Sequence, residues 1–205
     1  MNDVPATVLT ATIWAYWFGV GVMVVRARRR TRKLGGLIPE QGRERLMWVV
    51  WVPLVAAWLL LPALALSRTR GPLALPPFAT TTAVSVLRGL AAVVALACLA
   101  LTIGCWKQMG NNWSMGIVQR KTELVTSGLF RFVRHPIYAL SVALMFASLI
   151  ILPTVPMLIV AVLHIVLMNL KARNEERYLL ATHGEAYQHY LDRTGRFLPR
   201  RPRGR

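Results

Sequence analysis

Acidic side chains are scarce in this sequence. There are eight among 205 residues, against 25 lysines and arginines, for a formal charge of +17. Cysteine is limited to Cys98 and Cys105, both inside one apolar run. That excludes a disulfide framework, and no metal-ligand spacing appears. There is no Gly-x-Gly-x-x-Gly fingerprint, so a soluble Rossmann-type fold is not indicated. There is no internal repeat and no low-complexity stretch, which leaves one domain over residues 1–205. No basic residue precedes the first apolar run, and a positive block follows it. This is the pattern of an uncleaved anchor rather than a signal peptide.

What the chain has in abundance is uncharged apolar sequence. Hydrophobic residues make up 55% of it, and the mean hydropathy is +0.46. Residues 7–25 and 46–66 carry no charge, and 83–105 carry only Arg88. Each is close to the ~20 residues that cross ~30 Å of hydrocarbon. Ile137–Leu152 and Met157–Leu170 are shorter, but cationic side chains at their ends can snorkel outward. The Pro153-Thr154-Val155-Pro156 link between them leaves room only for a tight hairpin. The expected fold is all-α and polytopic, with about five membrane helices near 7–25, 46–66, 83–105, 135–152 and 156–171.

The positive charges fall in alternate segments. Residues 26–45 hold eight lysines and arginines, 106–134 hold five, and the tail from Lys171 holds nine. The intervening segments 1–6, 67–82 and 153–156 hold two, Arg68 and Arg70. The positive-inside rule then puts the N-terminus outside and the C-terminus in the cytoplasm, as an odd number of spans also requires. The same asymmetry argues against the rival reading of a basic chain, a nucleic-acid partner. The expected partner is the bilayer, in a bacterial or archaeal cytoplasmic membrane, with the basic C-terminal tail resting on anionic headgroups.

Ionisable groups are costly at a membrane boundary, so the polar ends of the spans carry the functional signal. Arg134-His135-Pro136-Ile137-Tyr138 opens the fourth span, with Pro136 suited to the first turn of a helix. Leu124-Val125-Thr126-Ser127-Gly128 precedes it as a turn. Past the fifth span, Lys171-Ala172-Arg173-Asn174-Glu175-Glu176-Arg177 should continue the same helix. Glu175 then shares a face with Lys171, four residues before it. The hairpin brings Arg134-His135 and Glu175 to one membrane level. Trp106 and Trp113 suit an interfacial belt. Tyr187, Tyr190, Phe197 and Leu198 suit either a flap over a pocket or packing of the tail on the membrane face. Arg88, Asn169 and His164 read as interhelical polar contacts, and His183 and His189 as surface residues.

Together these motifs, with Gly184-Glu185-x-Tyr187-x-x-Tyr190 and Phe197-Leu198-Pro199, resemble the isoprenylcysteine carboxyl methyltransferases and the wider membrane group that includes phospholipid methyltransferases. The resemblance covers residues 105–199. It implies S-adenosyl-L-methionine as cofactor and a lipophilic or prenyl-type small-molecule acceptor, with the site at the cytoplasmic face. It places Thr122, Glu123, Leu124, Val125, Phe130, His135, Pro136, Ile137, Tyr138 and Glu175 around the cofactor. A substrate-orienting arginine of the family falls near Lys171, with Arg173 as the neighbouring alternative. Phe130 stands where the family often has Tyr, and Ala139-Leu140 replace a small residue after the motif.

Methyl transfer from a sulfonium is an in-line displacement that mainly demands positioning. A carboxylate acceptor, ionised above a pKa of about 4, needs no base. It needs an orienting cation, for which Arg173, Lys171 and Arg134 are the candidates. An amine acceptor would need deprotonation, and His135 or Glu176 would become candidate bases. Carboxylate O-methylation of the isoprenylcysteine type is the favoured expectation. Phospholipid N-methylation, a sterol-type NADPH reductase and a non-catalytic membrane scaffold are the alternatives.

Overall fold

The computed structural model describes residues 3–31, 42–67, 71–115 and 123–200. Within them the chain forms six α-helices: α1 (Val4–Thr31), α2 (Gly42–Ser67), α3 (Thr82–Met109), α4 (Pro136–Ile151), α5 (Val155–His183) and α6 (Glu185–Arg193). Among the described residues there are no strands, only one isolated parallel bridge between Val133 and Gly195. Four stretches are long and apolar enough to cross a membrane: Val4–Arg29, Arg45–Ser67, Thr82–Asn112 and Val155–His183. The chain is an all-α polytopic membrane protein.

The helices close into a ring in the order α1, α2, α5, α4, α3, and α1 also touches α4 across the middle. Trp58 and Leu144 are fully buried at its centre. Outward-facing Phe18, Val49 and Val93 are exposed, as a lipid-facing surface requires. Polar contacts join helices inside the ring. Trp58 Nε1 donates to Ser148 Oγ at 3.1 Å, and Ser141 Oγ meets His164 Nε2 at 2.9 Å. His164 is thus an interhelical contact, its ring 5.0 Å from that of Trp58.

One end of the ring is fastened by Arg88. Its guanidinium pairs with Asp3, while its Nε donates to Ile151 O at 2.8 Å. Asp3 in turn caps α1, accepting from Ala6 N at 3.1 Å. The starts of α1 and α3 therefore meet the end of α4. At that same end, Thr154 caps α5, accepting from Met157 N at 3.4 Å, and completes the tight hairpin.

Two helix lengths shape the opposite end. The 16 residues of α4 span only about 24 Å, less than a hydrocarbon layer. The 29 residues of α5 span about 43 Å, so its last turns continue past the apolar part. The polar start of α4 and the charged end of α5 thus share one recess, where α1 and α3 end and α2 begins.

Candidate active site

The recess is a cavity of about 220 Å³. Aromatic rings wall it: Tyr16 and Trp17 from α1, Trp51 from α2, Trp106 and Trp113 at the end of α3, and Tyr187 and Tyr190 from α6. Of the sequence-expected cofactor residues, Glu123, Leu124, Val125, Phe130, His135, Pro136, Ile137, Tyr138 and Glu175 all line it. Thr122 lies outside the described residues. Among the expected orienting cations, Lys171 and Arg134 line the cavity, whereas Arg173 is exposed on the other side of α5. The helical period separates Lys171 and Arg173 by about 200°.

Local structure explains how the motif is presented. Gly128 turns the chain with φ +57°, and a side chain there would run into Gln108. Gln108 Nε2 donates to Ser127 Oγ at 2.7 Å, which pins the turn to the end of α3. The chain then forms a short 3-10 turn over Gly128–Arg131 and enters α4 at Pro136, in its first turn. There the missing N–H of Pro136 costs no helical hydrogen bond. Phe130 is buried in the wall, and its carbonyl accepts from the Tyr190 hydroxyl at 2.6 Å.

Glu175 and Glu176 divide the work. The Tyr138 hydroxyl donates to Glu175, and His135 Nδ1 lies 3.6 Å from its other oxygen. The His135 ring stacks on Tyr138, with planes 2° apart and centroids 5.4 Å apart. Glu176 points away from the cavity into a clasp. It accepts from Arg134 Nε at 3.1 Å and from Arg196 Nε and Nη2 at 3.0 and 2.6 Å. His135 Nε2 is 3.4 Å from it. Arg196 also donates to Asn169 Oδ1 at 3.1 Å. Arg134 donates further to the Leu191 carbonyl at 3.2 Å and to that of Thr194. Two cations and one carboxylate thus hold the tail against the helices.

The backbone continues the clasp. Arg134 N donates to Gly195 O at 2.8 Å and His135 N to Arg196 O at 3.1 Å. Gly195 allows this turn, because a side chain there would overlap the Leu198 carbonyl. Phe197 then meets His135 edge-on, with centroids 6.4 Å apart, while Leu198 is turned outward. Burial raises the Tyr190 phenol to about 12, and it raises Tyr187 as well, with the charge of Glu176 adding to the effect. Both phenols stay neutral over the ordinary pH range.

Lys171 is the cation that faces the aromatic wall. Its ammonium is 5.5 Å from the Tyr138 ring and 5.7 Å from the Trp51 ring, within cation–π range. It donates to Met115 O at 2.8 Å. One helical turn further along α5 stands Glu175, about 6 Å away in rise. The cavity therefore offers an anion and a cation in sequence along one helix face. Sequence spacing shows that pair. It gives no sign of Arg196, which reaches Glu176 only through the fold of the tail.

No curated protein sequence matches the chain. Residues 90–181, from α3 through Glu175 and Glu176, match the isoprenylcysteine carboxyl methyltransferase (ICMT) family, so the segment that supplies most of the cavity lining is similar to that family.

Proposed function

We propose that the protein transfers a methyl group from S-adenosylmethionine to a carboxylate on a lipophilic acceptor, at the cytoplasmic face of the membrane. The observation that carries this reading is the order of charges along α5, with Glu175 and Lys171 one turn apart at a cavity walled by aromatic rings. When bound, the cofactor supplies a methyl group on a positively charged sulfur. Aromatic faces tolerate such a charge without the water that would compete with transfer. Glu175, held by Tyr138, is placed to bind an ammonium group of the cofactor. Lys171 is placed to orient the acceptor carboxylate. That carboxylate is ionised at neutral pH, so no residue of the chain has to remove a proton. Held by Glu175, the cofactor would supply its methyl group to the ionised oxygen that Lys171 orients, and its sulfur would keep the electron pair of the bond that breaks. Arg134, Glu176 and Arg196 keep the walls in place.

The cytoplasmic location rests on the charge asymmetry. Arg26, Arg28, Arg29, Lys107, Arg131 and Arg134 all belong to segments that end or begin at the cavity-bearing end of the ring. An amine acceptor fits less well, because Lys171 would repel its protonated form. Labelled S-adenosylmethionine should bind the detergent-purified protein, and Glu175→Ala should remove most of that binding. Unchanged affinity in this variant would withdraw Glu175 from the site. Membranes incubated with methyl-labelled cofactor should then release the label under mild base, as a methyl ester does. A base-stable label on a phospholipid amine would instead establish N-methylation.

A further inference from the structure

A second cavity, of about 510 Å³, lies on the outer surface of the ring between the ends of α1 and α3. It does not enter the reading above. Its length is apolar: Phe18 and Val22 from α1 and Ile103 from α3 line it, and Phe18 is 75% exposed. Its floor is Trp106, which crosses under α1 because position 19 is glycine. A Cβ on Gly19 would stand 2.6 Å from the Trp106 ring. At the end nearer the polar recess the lining changes character, with Arg26 on α1 and Lys107 on α3 both reaching the cavity and both exposed. Among the described residues, neither cation forms an ion pair or side-chain hydrogen bond, and no carboxylate lines the groove.

An apolar channel on a lipid-facing surface is ordinarily filled by whichever acyl chain is nearest. Two cations at one end, with no carboxylate beside them among the described residues, make this channel selective. Taking both into a membrane interface without counter-charge is unfavourable, and an anionic headgroup supplies that charge while its chain covers the apolar length. A soluble phosphate would satisfy Arg26 and Lys107 but leave Phe18, Val22 and Ile103 unchanged. A zwitterionic lipid would fill the channel but bring its own cation beside them. We propose that the groove between α1 and α3 binds an anionic phospholipid, its phosphate held by Arg26 and Lys107 and one acyl chain lying along Phe18, Val22 and Ile103 over Trp106. The site is separate from the catalytic cavity but shares a wall with it, because Trp106 and Trp113 line both.

The test uses the full-length protein in nanodiscs of phosphatidylcholine carrying increasing fractions of brominated phosphatidylglycerol. Bromine on the acyl chain quenches nearby tryptophan, and the part of the quenching that is lost in Trp106→Phe reports occupancy of the groove, separate from the other six tryptophans. Quenching should saturate at a low mole fraction, and brominated phosphatidylcholine at the same fraction should quench less. In Arg26→Gln/Lys107→Gln the preference should weaken on the order of thirtyfold, at about 1 kcal/mol for each cation. Arg28→Gln/Arg29→Gln removes the same charge from α1 outside the groove and should keep most of the preference. Equal quenching by both lipids would overturn the proposal. So would an equal loss in the two double variants, since that would reduce the effect to general surface charge. Because the readout is lipid occupancy, it holds whether or not methyl transfer is observed.

Discussion

Glu176→Gln offers the sharpest test of the site's architecture, because it alters the clasp without replacing a residue that lines the cavity. The carboxylate is mostly buried, its side chain 11% exposed, and it receives Arg134 and both faces of the Arg196 fork. Removing one partner of a buried ion pair costs about 3–5 kcal/mol. Arg196 keeps 30% of its side-chain surface in solvent, which screens its share. Glutamine also retains one acceptor oxygen. A loss of ~2 kcal/mol is therefore the reasoned figure, equivalent to about a thirtyfold rise in the population of undocked tail.

Two backbone amides report that population directly. Arg134 N and His135 N donate to Gly195 O and Arg196 O, so they are protected only while the tail is docked. Hydrogen exchange measured on the detergent-purified protein should speed up at these two positions in Glu176→Gln by about the same thirtyfold. It should stay unchanged within α3. Glu175→Gln should behave in the opposite way, leaving exchange at Arg134 and His135 near the parent value while weakening cofactor binding. If Glu176→Gln leaves both amides as protected as before, the ion pairs do not hold the tail, and the division of labour between the two glutamates is wrong.

Lys171→Gln should lower kcat/KM for a carboxylate acceptor roughly 10–100-fold, the worth of one charge-assisted contact, with cofactor affinity largely kept. A parallel loss of cofactor affinity would move Lys171 out of the acceptor role. Arg88→Gln should lower the thermal midpoint in detergent, by about 2 kcal/mol of stability, because it strands Asp3 and the Ile151 carbonyl at the far end of the ring. Cofactor binding should be unaffected, and a change there would mean that the two ends are coupled. Tyr190 and Tyr187 hold their protons more tightly in the folded protein than in an unfolded chain, where a phenol titrates near 10. Their contribution is therefore complete below about pH 10 and is lost as the pH rises from there toward about 12. Amide exchange at Arg134 and His135, corrected for intrinsic base catalysis, should show docking constant up to about pH 9 and loosening only above about 10. Loosening at neutral pH would assign the tail to another titrating group.

The fold was legible wherever a single physical demand dominated. Long uncharged runs can only be membrane helices, and α1, α2, α3 and α5 contain the expected spans and extend past them. The tight link predicted an antiparallel pair, and the structure adds Thr154 as the cap of α5. Pro136 marked the first residue of α4. The extent of α4 was legible to one residue at each end, 135–152 expected against Pro136–Ile151, but the cation before it read as a snorkelling group. In the folded protein Arg134 turns instead toward Glu176 and the tail. The span stops at 16 residues, and the recess exists because it is short.

The site follows the same division. Lys171 and Glu175 share a face because helical spacing is fixed, and His135 meets Glu175 because a hairpin leaves no alternative. Local geometry carries those contacts, so sequence shows them. Arg196 is twenty residues from Glu176 and belongs to no periodic pattern. Its partner is chosen by where Gly184 turns the chain, with φ +54°, and by where Gly195 lets it turn again. The three cations proposed for the acceptor looked equivalent in sequence because each lay near the motif. Their separation depends on what surrounds each one. Arg134 is drawn into the clasp, Arg173 faces outward, and Lys171 remains against Tyr138 and Trp51. Charge near a motif is thus a weak guide to placement, and the fold of the rest of the chain decides which side chains face the cavity.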